Sequence, residues 1–366
     1  MTEKGKIILR LASGDVVRHV DNSLILSFGG RRNVLSTSVY GGGYREDLTA
    51  VWNLDMSRDV QGMAASSYEA YLRQTAERLG LDPEHTTGMG TSAHMENAAV
   101  ETLSYQGLTV TAISTGGIEA NGGRVGDPAQ FFQPCAKPCP GTINLMLFID
   151  ADLPPGTLAR ALVTCTEAKV AALQELMADS RYSSGLATGS GTDQTILVAN
   201  PESQLCLDDA GKHSKLGELI GRTVIAAVKG GMTKQHGLTP ERQHDLLRRL
   251  RRFGVTEETI WDACERRFPD EAVPKERFLA TLRTLCVSSP LLSEGTLYVH
   301  LIDERHWGLL EEKETRDAAL RILRELSSSY GLSPPVELTK PYPTEMELLL
   351  ARISCHQLQG ERKIIP

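Results

Sequence analysis

The stretch GTINLMLFIDADLPPGTLARALVTCTEAKVAALQEL, residues 141–176, decides the fold. Leu145 to Ile149 reads as an apolar strand that ends at Asp150. Pro154-Pro155 then breaks the chain, and a helix of about twenty residues follows. A glycine-punctuated turn leads to a second strand, Thr195 to Ala199. Placed at about 100° per residue, Leu158, Leu162, Cys165, Ala168, Ala172, Leu173 and Leu176 fill one broad arc of the helix. Arg160, Glu167 and Gln174 lie opposite, yet Lys169 falls in the middle of the apolar arc. An ammonium there must snorkel, pair with a carboxylate or lose its proton, because leaving it buried and unpaired is costly.

The same order of elements occurs earlier. Ala50 to Leu54 reads as a strand ending at Asp55, a helix covers Ser66 to Leu79, and Thr87-Gly88-Met89-Gly90-Thr91 precedes a β-prone run. Thr188-Gly189-Ser190-Gly191-Thr192 repeats that TGxGT pattern, which predicts an internal duplication. Upstream, Ile7–Leu11, Val16–Val20, Leu24–Phe28 and Val34–Ser38 alternate with turn signals, the pattern of an antiparallel meander. Leu108 to Ser114 is a further strand, running into Thr115-Gly116-Gly117. Asp208-Asp209-Ala210-Gly211 marks a helix start, with the helix running to about Lys229. Lys212, His213 and Lys215 would then occupy its first turn, where cations oppose the helix dipole, so they suit gripping an anion or meeting a carboxylate.

The expected fold class is therefore α/β (mixed α+β): duplicated strand–helix–strand units around mixed sheets, with a mostly helical C-terminal extension. The boundary is placed near residue 235, giving a first domain over 1–235 and the extension over 236–366. In the extension, 240–286 reads as helical, Leu297–Ile302 as a strand and Thr315–Ser327 as a helix. The arginines of Leu246-Leu247-Arg248-Arg249-Leu250-Arg251-Arg252-Phe253 fall opposite the leucines, which predicts a solvated helix face. The amphipathic helices suit oligomerisation, as a homo-oligomer, or covering of a cleft.

Of the 366 residues 41% are hydrophobic and 23% charged, ordinary values for a soluble globular protein. A net charge of −7 argues against a general nucleic-acid binder, whose phosphate contacts need a basic surface. With no signal-peptide pattern and no apolar run of about eighteen residues, neither secretion nor a membrane span is expected, and the location expected is cytoplasmic. Of the seven cysteines only Cys135 and Cys139 are close, and they read as reduced loop thiols, not metal ligands.

Neither TGxGT segment ends in the GK[ST] of a P-loop, and each leads into a strand, so phosphate binding by a transferase is the lesser reading. No nucleophile elbow and no HExxH sequence stands in the chain. What remains is a pool of polar groups at element ends that suits acid–base work on an amide. Asp193 or His213 would activate water, with His94 the competing histidine. Lys169 would hold or tune the carboxylate, and Asn144 or loop amides would stabilise the oxyanion, with Thr192 alongside. Asp193 ranks above its counterpart in the first copy, Ser92. Thr142, Asp150, Glu167, Gly189, Gly191, Lys212 and Lys215 are the candidate substrate contacts.

The runs GTINLMLFIDADLPPGTLARALVTCTEAKVAALQEL, SGLATGSGTDQTILVAN and AGKHSKLGELIG resemble the adenosylcobinamide amidohydrolase family, CbiZ, over roughly residues 20 to 235. The strongest parts are Glu167-Ala168-Lys169, Gly189 to Gln194, and Ala210 to Lys215. The resemblance implies a corrinoid-salvage hydrolase that cleaves the amide between the corrin ring's propionyl arm and aminopropanol, giving adenosylcobyric acid. It implies a corrinoid substrate that brings its own cobalt, and no protein-bound cofactor. A non-catalytic corrinoid carrier is the rival from another class.

Overall fold

The computed structural model describes residues 5–57, 67–129, 142–267 and 274–362. Cys135 and Cys139 lie outside the described residues, as does Gly141. The chain divides into two compact units, Met1–Thr239 and Pro240–Pro366.

The first unit contains the strands β1 (Lys6–Arg10), β2 (Val16–Val20), β3 (Ser23–Ser27), β4 (Asn33–Ser36), β5 (Gly43–Arg45), β6 (Ala50–Asp55), β7 (Thr86–Thr91), β8 (Ala99–Tyr105), β9 (Leu108–Gly116), β10 (Gly122–Gly123), β11 (Ile143–Ile149), β12 (Gly189–Ser190) and β13 (Gln194–Ala199). Its helices are α1 (Tyr68–Arg78), α2 (Pro155–Glu175) and α3 (Lys215–His236). One sheet has the order β1-β2-β3-β6-β7 and the other β5-β4-β13-β11-β9-β8. In the first sheet β3 is antiparallel to β6, and β6 is parallel to β7. In the second β9 is antiparallel to β11, and β11 is parallel to β13. Each parallel pair is joined through a helix, α1 or α2, so the duplication of strand–helix–strand units is present as topology.

The alternation of side chains along a strand explains the layers. On β11, Ile143, Leu145, Leu147 and Ile149 pack under α2 and α3 with Leu158, Cys165, Leu173, Ile220 and Val224. Met146 and Phe148 point the other way and meet Val17, Leu26, Val51 and Met89 between the sheets. On β6, Trp52 and Leu54 face Tyr71, Leu72 and Ala76 of α1. The order is helix, sheet, sheet, helices.

Three expectations change here. The meander holds for β1 to β3, but β4 leaves it and pairs with β13 in the second sheet. Arg32, only 1% exposed, fixes this crossover by bonding Asp15 at 2.9 Å and Asn200 at 3.0 Å, an anchoring that a turn pattern does not reveal. The third helix starts later than its acidic signal suggests: Ser214 is its N-cap, accepting from the Gly217 amide, and Lys212 and His213 precede it. It also runs through Gly230-Gly231 to His236, because these glycines let it lie close to the second sheet. A Cβ on Gly231 would stand 3.2 Å from the Ser114 carbonyl oxygen, and one on Gly230 would be 2.9 Å from Ala99 Cβ.

The TGxGT segments are not equivalent. Thr87–Thr91 belongs to β7 itself, in register with Val51–Asp55 of β6. Thr87 and Met89 face the space between the sheets, while Gly88 and Gly90 face α1. A Cβ on Gly88 would lie 2.1 Å from Trp52 Cε2, so that glycine makes room for an indole ring. Neither has a positive φ. The second segment holds the two-residue β12, paired with β10, and the turn in front of β13, so Ser92 and Asp193 do not occupy equivalent places.

The second unit is helical: α4 (Leu246–Leu250), α5 (Glu257–Arg267), α6 (Lys275–Cys286), α7 (Leu291–His306), α8 (Glu312–Ser329) and α9 (Tyr342–Arg362). Leu246, Phe278, Leu282, Tyr298, Leu326 and Leu350 belong to its core. Leu297–Ile302, expected as a strand, lies within α7. The arginine face is not solvated throughout. Arg252 is buried, forms a two-pronged pair with Asp303 at 2.6 and 2.5 Å, and stacks on Phe253, while burial pushes the Arg249 pKa down.

Candidate active site

Lys169 reaches the end of its helix-facing layer and pairs with Asp193 Oδ2 at 2.5 Å. The Asp193 carboxylate also accepts from the Ser190 amide at 3.0 Å, the Ser190 hydroxyl at 2.7 Å and the Ile143 amide at 2.9 Å. A carboxylate offers about four acceptor sites, and four donors fill them here. Gly189 is what permits this, since a Cβ there would sit 2.2 Å from Asp193 Oδ2. One amide of the turn, that of Ser190, thus already holds an anion, Asp193, and the Thr192 amide is bonded to Ser190 Oγ. Thr142 and Thr192 join their hydroxyls across the same turn, whereas Gly191 stands open with no atom near its Cα substituent position.

Asn144 lies beside this turn but on the other face of the second sheet. Its side-chain amide donates to Asn53 Oδ1 at 2.8 Å and to the Gly90 carbonyl at 3.1 Å. Asn53 in turn donates to Thr115 Oγ1 at 2.8 Å. Both N–H donors of Asn144 are spent on the protein, and its remaining oxygen can only accept a bond. Asn144 therefore ties the sheets together and has no donor for an oxyanion.

Asn53 and Asp55 stand two apart on β6 and so share its inner face. The Asp55 side chain is 1% exposed and accepts from the Ser57 amide at 2.8 Å and from His94 Nδ1 at 2.9 Å. Asn22, on the β2–β3 turn, brackets the Asp55 backbone with bonds of 2.6 and 2.9 Å. A carboxylate at Nδ1 fixes the tautomer that leaves Nε2 as a base, and His94 is about half exposed. The backbone of the loop after β7 is shaped by local bonds: the Ala93 amide donates to Thr91 Oγ1, and the Asn97 amide to the His94 carbonyl.

The other expected residues sit elsewhere. Asp150, at the far end of β11 about 20 Å from Asn144 along the strand, accepts from Asn200 Nδ2 at 2.7 Å beside the Arg32 crossover. His213, exposed, and Lys215 are at the start of α3, whose 22 residues rise about 33 Å towards His236 at the other end. Lys215 pairs with Glu218 and lies over the Tyr105 ring at 4.6 Å. Glu167 and Lys212 pair at 3.0 Å, both largely exposed. The structure thus joins Lys169, Asp193, Thr192, Thr142 and Gly189, sets Asn144 on the opposite face, and leaves Asp150, His213, Lys212, Lys215 and Glu167 outside both groups.

The family model for adenosylcobinamide amidohydrolase, CbiZ, matches residues 9–240. The chain belongs to that family. This CbiZ family member is 31% identical over 227 residues to an uncharacterized protein of Methanocaldococcus jannaschii, across 58% of this chain and 86% of the relative. Among solved structures, a Pyrococcus horikoshii protein is similar at 12% identity and a TM-score of 0.31, covering 69% of this chain and 91% of that one. A Burkholderia β-aminopeptidase is similar at 12% identity and a TM-score of 0.30, covering 63% and 83%. The matched region ends where the first compact unit ends, so the family's share of the chain is the unit that holds both polar groups. Among the described residues no helix is long and apolar enough to cross a membrane.

Proposed function

We propose that the protein hydrolyses the amide joining the propionyl arm of the corrin ring to aminopropanol in adenosylcobinamide, releasing adenosylcobyric acid. Family membership supports the substrate, and the Asp55–His94 pair is the observation that carries the chemistry. His94 Nε2 takes a proton from water as the water oxygen attacks the amide carbonyl, and the imidazolium returns that proton to the departing nitrogen as the C–N bond breaks. Asp55 keeps Nδ1 protonated and offsets the positive charge on the ring during the step. The Asp193 carboxylate has no acceptor position left for a water, since four donors already occupy it. The cobalt enters and leaves with the substrate. Incubating the purified protein with adenosylcobinamide and measuring aminopropanol tests this: release with turnover is expected, and tight binding without product would mean a corrinoid carrier.

A further inference from the structure

The loop bearing His94 is also held from the opposite side of the molecule. Gln235, on the last turn of α3, offers a single oxygen, Oε1, to two donors of that loop: the His94 amide at 3.1 Å and Asn97 Nδ2 at 2.9 Å. His94 is the residue that caps the short turn Met95–Asn97, so these bonds fix both ends of the turn from which the imidazole projects. The helix is itself anchored there: Met232 is fully buried, its Cε would lie 2.5 Å from a Cβ on Gly116, and Gly237 closes the helix with a left-handed φ of 61°. Asp55 thus controls the rotation of the ring, while Gln235 controls where its backbone stands.

We propose that Gln235 is a positioning residue for His94, by which α3, the helix that follows the second strand–helix–strand half, holds the base supplied by the first. This rests on the functional reading above. A misplacement of about 1 Å at a catalytic group costs up to roughly 100-fold in rate, and losing the one acceptor shared by His94 and Asn97 frees a shift of that size. The groups on the elements around the His94 loop that bear on its titration are Asp55 of β6, Glu96 of the turn, and Lys234 and His236 of α3. Lys234 is engaged with the Ala98 carbonyl at 2.8 Å, and the His236 ring lies against Gly117.

The test compares Gln235→Leu, Gln235→Glu and His94→Ala in the full chain, with kcat, KM and the pH profile of kcat on adenosylcobinamide. Leucine keeps the bulk and the helix but accepts no bond, so kcat should fall roughly 10- to 100-fold with KM within about twofold. Glutamate keeps the acceptor, so most of kcat should return. Its added negative charge should move the acid limb of the profile to higher pH, because a nearby anion favours the imidazolium. Parental kcat and pH profile in Gln235→Leu, with His94→Ala inactive, would overturn the positioning role alone. Parental kcat in His94→Ala would overturn the functional reading and take this inference with it.

Discussion

The two strand–helix–strand halves each set a carboxylate against a cationic or protonatable side chain, but they finish the pair differently. In β11–α2–β13, Asp193 is surrounded by Lys169, Ser190 and the Ile143 amide, and every acceptor position is filled. In β6–α1–β7, Asp55 is more deeply buried, at 1% against 11% exposure, yet its partner His94 is half exposed and no protein bond to its Nε2 is found among the described residues. A saturated pair holds structure together, whereas a pair with one open nitrogen can move a proton. On the proposed reading the same topological unit serves two uses.

His94→Ala breaks the contrast most sharply. Loss of a general base costs roughly 10²- to 10⁴-fold, so kcat for aminopropanol release should fall by about that factor with circular dichroism unchanged. Lys169→Met attacks the other half. It strands the mostly buried Asp193 carboxylate, and about 3 kcal/mol of unfolding free energy should be lost, measurable in a urea titration. The folded fraction should keep its kcat; if kcat collapses while the urea midpoint stays, the roles of the two halves are exchanged.

Smaller changes sharpen the comparison of the two TGxGT segments. Gly88→Ala drives a methyl into the Trp52 ring and should cost about 2 kcal/mol, read from the same titration, with no effect on substrate binding beyond the lost fold. The smallest effect concerns Cys165, under the second sheet. Burial pushes its thiol from 9.0 up to about 12. The unfolded chain therefore releases this proton first, and stability should decline as pH rises above about 9. At pH 8, a thiol reagent should modify the exposed Cys206 and spare Cys165 until the protein unfolds.

Much of the fold was legible because it rests on local patterns. The apolar run before Asp150, the double proline and the helical period of residues 155–175 each act within a few residues. The β4 crossover was not legible, because it depends on Arg32 meeting Asp15 and Asn200, partners distant in sequence. The misplaced Lys169 left snorkelling, a carboxylate partner and a lost proton open; the structure pairs it with Asp193, and spacing alone could not show that Asp193 would be saturated. Asp55 was visible as a strand-ending aspartate and His94 as a rival base. Their pairing needs the register of β6 against β7, in which Asp55 stands beside Thr91 three residues before His94. Gln235 carried no signal of its own, since a helix-terminal glutamine is usually solvated.

Strand β7 lies at the edge of its sheet, and its backbone is closed by side chains where another strand would otherwise add. Ser38 Oγ donates to the Gly88 carbonyl at 2.6 Å, Asn144 to that of Gly90 at 3.1 Å, and the Gly90 amide donates to Tyr68 Oη at 3.0 Å. An open strand edge invites pairing with another chain. Here the edge is buried along its whole length, and Asn144 is one of three side chains that finish its hydrogen bonding; replacing it would leave the Gly90 carbonyl without that partner inside the protein, at a cost of about 1–3 kcal/mol.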